Sequence, residues 1–195
     1  MKVLTRFFPG FAPFAAALTA LLMLVAAEPV RAASAQYTMQ EIIDAGHGFF
    51  GSTTGGFAKV VEKAFSRYGL PNGYILGQEG GGAFIAGLDY GEGDLYTKNA
   101  GQHDVYWQGP SLGLDYGGDG SRVMMLVYNL PDVRALYSRF GGVSGQAYVV
   151  AGFGMTVLKG DRHVLLVPIR TGVGARLGVN VGYLKLTRRP TWNPF

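Results

Sequence analysis

Residues 74–90, YILGQEGGGAFIAGLDY, mark the point where the period of this 195-residue chain changes. Upstream, apolar residues recur at helical spacing. From Tyr74 onward, short segments rich in Tyr, Val, Ile and Leu alternate with Gly, Asp and Asn, the pattern of antiparallel strands separated by turns. Strands are predicted at 74–78, 83–90, 94–98, 104–108, 111–115 and 122–128, then at 146–158, 163–170 and 172–186. Gly87-Leu88-Asp89-Tyr90-Gly91 recurs as Gly113-Leu114-Asp115-Tyr116-Gly117, which suits two equivalent hairpin positions in one sheet; a solenoid needs three or more repeats. The chain contains 31 glycines, most of them in or beside the strand segments. Glycine permits the bends and bulges that close a small sheet on itself. The expected fold is mainly β, a small antiparallel β-barrel with two or three short α-helices packed outside.

The helices flank and interrupt the strand region. Thr38-Met39-Gln40-Glu41 has the capping-box form, so a helix is predicted over 39–45, ending at Gly46. In 57–68 the apolar residues Phe57, Val60, Val61, Ala64, Phe65 and Tyr68 share one face, and Gly69 and Pro71 supply the stop. A third helix is expected over 131–140 from the spacing of Val133, Leu136, Tyr137 and Phe140. The run Val123 to Val127 does not alternate, as expected for a strand covered by helices.

At the other end, Lys2 and Arg6 precede an apolar stretch from Ala12 to Ala27, and Ala33-Ser34-Ala35 gives a small-x-small cleavage pattern. This is the layout of a signal peptide over 1–35, leaving one domain over 36–195. Of 17 basic and 13 acidic residues, Lys2, Arg6, Arg31 and Glu28 belong to the leader, so the remaining chain is close to neutral. With no Arg/Lys run interleaved with aromatics, nucleic acid is a poor partner. The absence of cysteine excludes disulfides, thiolate metal sites and cysteine nucleophiles. Export without disulfides points to a periplasm.

Several motifs imitate catalytic ones. Gly109-Pro110-Ser111-Leu112-Gly113 matches the nucleophile-elbow pattern, with Asp132 or Asp161 and then His163 in hydrolase order, yet the elbow needs a strand turning into a helix, and Ser111 stands between strands. The loop Gly51 to Gly56 carries Phe57 where a phosphate loop has lysine. Asp89, Glu92 and Asp94, with Asp115 and Asp119, lack the alternation of a calcium loop and read as turn residues. His47, His103 and His163 have no ligand spacing. No catalytic residue, metal or cofactor is therefore assigned. The terminal Phe195 suggests an outer-membrane barrel, but counting back in twos meets Asn193, Thr191, Arg189 and Thr187, and Pro190 and Pro194 interrupt the closing strand.

The segment Val123 to Asn129, the helix that follows and the Gly-rich run Gly141 to Gly154 resemble the SYLF domain. The chain over 38–192, including Gly46-His47-Gly48-Phe49-Phe50, both Gly-Leu-Asp-Tyr-Gly turns and Arg188-Arg189-Pro190, resembles the alphaproteobacterial envelope integrity protein A family. That resemblance implies a periplasmic β-barrel supporting the cell envelope, with no established enzyme activity. SYLF domains bind lipids, and the nearest cationic counterpart here is Lys59, Lys63 and Arg67, the candidate contacts for an anionic headgroup.

The leading expectation is a non-enzymatic module that binds an envelope lipid or polysaccharide through exposed aromatics, Tyr90, Tyr106, Trp107 and Tyr116, associating peripherally with the membrane. The alternatives are an enzyme acting on envelope polymers, with Asp89 and Asp115 as paired acids, and a structural or protein-interaction role. Oligomeric state is not legible. A filled barrel interior would remove internal ligand binding.

Overall fold

A computed structural model describes residues 35–51, 55–81, 88–110, 121–142, 147–171, 182–191 and 193. Outside these residues lie 1–34, which hold most of the segment read as a leader, the loop residues Ser52 to Thr54, the predicted strand 111–115 with the elbow serine Ser111, the second Gly-Leu-Asp-Tyr-Gly turn with Asp115 and Tyr116, and Phe195.

Helix α1, Met39–Phe50, opens on the expected capping box. The Thr38 side chain accepts from the Glu41 N–H at 3.3 Å, and the Glu41 carboxylate accepts from the Thr38 N–H at 2.7 Å. The helix does not stop at Gly46 but runs on to Gly51, whose φ of 102° ends it. Gly46 serves packing instead, since a Cβ there would lie 2.1 Å from the Phe57 ring. Helix α2, Gly55–Tyr68, buries Phe57, Val60, Val61, Ala64 and Phe65, the predicted face. Removing the cap in T38A is expected to lower stability by about 1 kcal/mol in urea denaturation, the usual loss when an N-cap hydroxyl is deleted.

Among the described residues ten strands follow: β1 Gly73–Gly81, β2 Leu88–Thr97, β3 Gly101–Pro110, β4 Ser121–Tyr128, β5 Arg139–Gly142, β6 Tyr148–Val150, β7 Phe153–Met155, β8 Leu158–Lys159, β9 Leu165–Thr171 and β10 Tyr183–Thr187. Their order is β4-β1-β2-β3-β10-β5-β8-β9, and β9 pairs with β4 to close an eight-stranded antiparallel barrel. The expected barrel with external helices is the observed architecture.

Three predicted boundaries change for physical reasons. The described end of the strand predicted at 83–90, residues 88–90, and the strand predicted at 94–98 meet in one strand, β2, because Gly91 and Gly93 continue the ladder instead of turning, while 83–87 lie outside the described residues. The strand predicted over 146–158 folds back on itself: Ala151 (φ 48°) and Gly152 (φ 81°) form a two-residue hairpin between β6 and β7. β7 and β8 then lie in one register along β9, interrupted opposite Pro168, which accepts from the Thr156 N–H but has no N–H to return. The helix predicted over 131–140 shrinks to α3, Val133–Leu136, capped by Asp132. Phe140 leaves the helical row to enter the barrel interior from β5, where it is fully buried.

Two apolar clusters meet at β4. Val123, Met125 and Val127 point inward to Ile75, Leu95, Val105, Trp107, Leu166 and Leu184. Met124, Leu126 and Tyr128 point outward beneath α1 and α2, with Val167 and Ile169 of β9. Burial of both faces explains why 123–128 does not alternate. The first cluster occupies the described part of the barrel interior.

Candidate functional site

Trp107 is the largest interior side chain and is fully buried. Its indole lies across Gly77 of β1 and Gly91 of β2: a Cβ at Gly91 would sit 2.1 Å from Cε2, and one at Gly77 would sit 2.6 Å from the far edge of the ring. The indole Nε1 donates to Glu79 Oε1 at 3.0 Å. Arg170 of β9 grips the same carboxylate with two bonds, Nε to Oε2 at 2.7 Å and Nη2 to Oε1 at 2.8 Å. Burial pushes the Glu79 carboxyl up, but the Arg170 charge and the bonds from Arg170 and Trp107 outweigh it and hold the group below its ordinary value. The expectation that Trp107 is an exposed ligand contact is therefore corrected: it is a core residue that organises an internal ion pair.

Tyr106 and Tyr90 point the other way, to the outside of β3 and β2, because neighbours along a strand face opposite sides. Tyr116 lies outside the described residues. On the outer face of β1, β2 and β3 there is a groove of about 450 Å³ lined by Tyr106 together with Phe49, Gln78, Glu92, Asp94, Tyr96 and Asp104. Register builds it: Glu92 is opposite Tyr106 on one side and Gln78 on the other, and Asp94 is opposite Asp104. Like charges placed directly opposite disfavour the sheet. Tyr96 is held in place by stacking on Tyr74, with ring centres 5.0 Å apart, and Tyr74 in turn meets the edge of Tyr37. Burial, then the Asp94 charge, push the Tyr96 phenol up. Phe49 reaches the groove from the end of α1, where Arg122 lies 5.7 Å from its ring centre and donates to its carbonyl at 2.7 Å.

The groove thus combines aromatic rings with three carboxylates. Carboxylates accept hydrogen bonds from hydroxyls, and aromatic faces cover apolar ring faces. Among the described residues, no three His, Cys, Asp or Glu side chains come together as a metal site. Of the residues that line this groove the sequence singles out Tyr106, gives Glu92 and Asp94 the look of turn residues and does not mark Asp104, Gln78 or Phe49; Tyr90 is not in the lining. Reading 88–97 as one strand would have placed Tyr90, Glu92, Asp94 and Tyr96 on one face.

Lys59, Lys63 and Arg67 are exposed on α2, at successive i, i+4 positions, apart from this groove. The Lys63 ammonium lies 5.9 Å from the centre of the Tyr148 ring, and Val149 beside it is 46% exposed.

A solved structure described as a beta-barrel-like, uncharacterized protein from Brucella abortus is similar to the chain at 67% identity, with a TM-score of 0.78, covering 83% of this chain and 100% of that one. No curated protein matches the chain. The sequence profile of the envelope integrity protein A family matches residues 35–195, and the chain belongs to that family.

Proposed function

We propose that the protein is a periplasmic, non-enzymatic binding module that supports the cell envelope by holding an envelope polysaccharide in the groove on β1, β2 and β3. The observation that carries this reading is the pairing of Glu92 with Tyr106 and of Asp94 with Asp104 on one outward face. Three carboxylates repel phosphate headgroups and welcome sugar hydroxyls, so between lipid and polysaccharide the groove favours the glycan. The family name supports the envelope role, and the leader-like segment supports export.

The outer face also supports peripheral rather than integral association. A membrane-inserted barrel needs an apolar band facing lipid, whereas Glu92, Asp94, Asp104, Arg139 and Lys185 all sit on outward positions here. A second reading, contact with anionic lipid through Lys59, Lys63 and Arg67, is favoured by their exposure along one helix face.

Co-sedimentation with purified peptidoglycan sacculi and titration with delipidated lipopolysaccharide polysaccharide test the proposal. Binding to one of them is expected, and E92Q and Y106A should each weaken it about tenfold, as for loss of one charge-assisted hydrogen bond or an aromatic platform. K63A should leave it unchanged. No binding to either polymer, or binding indifferent to E92Q and Y106A, would overturn the glycan reading. Release of soluble fragments from the sacculi would replace binding with hydrolysis.

A further inference from the structure

We propose that a second outer groove, along β10 and β5, is a binding site for a phosphate group, lined by residues that the glycan reading does not use. Leu184 and Leu186 of β10 and Phe140 of β5 point into the barrel. Alternation therefore turns Lys185 and Arg139 outward, and these two residues are direct register partners. Two cations opposite one another on the same face repel. An anion bound between them would turn that repulsion into attraction.

The groove is about 650 Å³, and Arg188 joins Arg139 and Lys185 in its lining. Arg139 and Arg188 are each positioned by a neutral group. The Tyr183 hydroxyl accepts from Arg139 Nε at 3.1 Å. The Arg188 guanidinium lies 4.8 Å from the centre of the Tyr137 ring, whose hydroxyl donates to the Asp104 carbonyl at 3.1 Å. Lys185 donates to the Asn193 carbonyl at 3.0 Å. Among the described residues neither Arg139 nor Arg188 is paired with a carboxylate, and Asp161 is the groove's one acidic lining residue. Neighbouring Asp132 is engaged by Arg162 at 3.6 Å.

A guanidinium offers a fork of donors that matches two phosphate oxygens, and an ammonium adds a point charge. A fork held at Nε by a tyrosine hydroxyl and another laid flat on a ring lose little freedom on binding, which favours a defined site over a diffuse cationic surface. The chemistry selects a phosphate ester, whether a lipid headgroup or a soluble phosphate. The groove adjoins the acidic one across the β3–β10 pairing, where Thr187 is opposite Tyr106. Opposite charge preferences on adjoining grooves distinguish the two ligands.

The test uses two probes on the purified chain. Inorganic pyrophosphate is titrated in ¹⁵N NMR, and vesicles of phosphatidylcholine with or without phosphatidylglycerol are tested by co-sedimentation. Resonances of 137–139 and 183–188 should move with pyrophosphate, or phosphatidylglycerol vesicles should pull the protein down, and whichever probe acts identifies the source of the phosphate. R139Q/R188Q should weaken that binding about tenfold or more, as expected when charge-assisted contacts are removed, with the far-UV circular dichroism unchanged as proof of fold. R188Q alone, at an exposed position, repeats the test if the double variant is unstable. Failure of both probes, binding unaffected by R139Q/R188Q, or vesicle binding lost only in K59Q/K63Q would overturn the proposal. None of these outcomes depends on glycan binding, which is read separately through E92Q and Y106A.

Discussion

Replacing Arg170 by methionine is expected to lower the stability of the barrel by about 3–5 kcal/mol, the range found when one member of a buried ion pair is removed. Arg170 and Glu79 expose only 17% and 10% of their side chains, and the guanidinium supplies two of the three bonds that Glu79 receives. R170M leaves a carboxylate inside an apolar barrel with the Trp107 N–H as its remaining partner among these three. The double variant E79Q/R170M removes the stranded charge and keeps an acceptor for Trp107. It should recover most of the loss, because replacing both members of such a pair is often close to neutral.

The same pair fixes the sign of a pH effect. In the wild type the folded-state carboxyl of Glu79 lies below its ordinary value of 4.5. Its contribution to stability is thus complete above that value and is lost as pH falls through the folded one. In R170M, burial acts without the compensating cation, so the folded-state value rises above the unfolded one and protonation relieves the variant. The stability gap between wild type and R170M should narrow as pH falls from 7 toward 3. Urea melts at several pH values check this, and a gap independent of pH would mean that Arg170 contributes through packing of its stem alone.

The outer layer of this fold was legible because helices advertise their buried face locally. Phe57, Val60, Val61, Ala64 and Phe65 announce α2, and the unalternating run at β4 announces a strand covered on both sides. What escaped depends on partners distant in sequence. Gly91 and Gly93 beside Asp89, Glu92 and Asp94 have the composition of a turn, and only the fold explains why a strand carries glycines there: the Trp107 indole lies across Gly91, and the β1 backbone at Leu76 and Gly77 leaves no room for a Cβ at Gly93. Ala151 at positive φ gives a hairpin no sequence cue. Pro168 interrupts a ladder whose register is invisible without the fold.

The site follows the same logic. Tyr106 and Trp107 are adjacent in one strand, so alternation alone forbids both from lining a common surface. That part could have been read from the sequence once the strand was accepted. The acids that surround Tyr106 come from two strands whose register is set by the turn 98–100 between them, whereas Arg139 and Lys185 meet through the pairing of strands distant in sequence.

Alanine at Gly91 is the second large expected effect. The added methyl would sit 2.1 Å from Cε2 and 2.2 Å from Nε1 of Trp107, closer than any real contact, so the indole or the strand must move. The indole is not free to move, because its Nε1 bond to Glu79 also orients the Arg170 pair. G91A should therefore cost about 1–3 kcal/mol or more, the range for overpacked cores, and disturb the ion pair as well. Glycine is otherwise a poor strand residue, and G80A, where a Cβ meets nothing within 4 Å, should be neutral or slightly stabilising. The decisive measurement is the cycle with W107L, followed by far-UV circular dichroism in urea. Leucine vacates the space over β2, so G91A should cost much less in the W107L background than in the wild type. Equal costs in both backgrounds would locate the demand for glycine in the backbone of β2 and remove the indole as its cause.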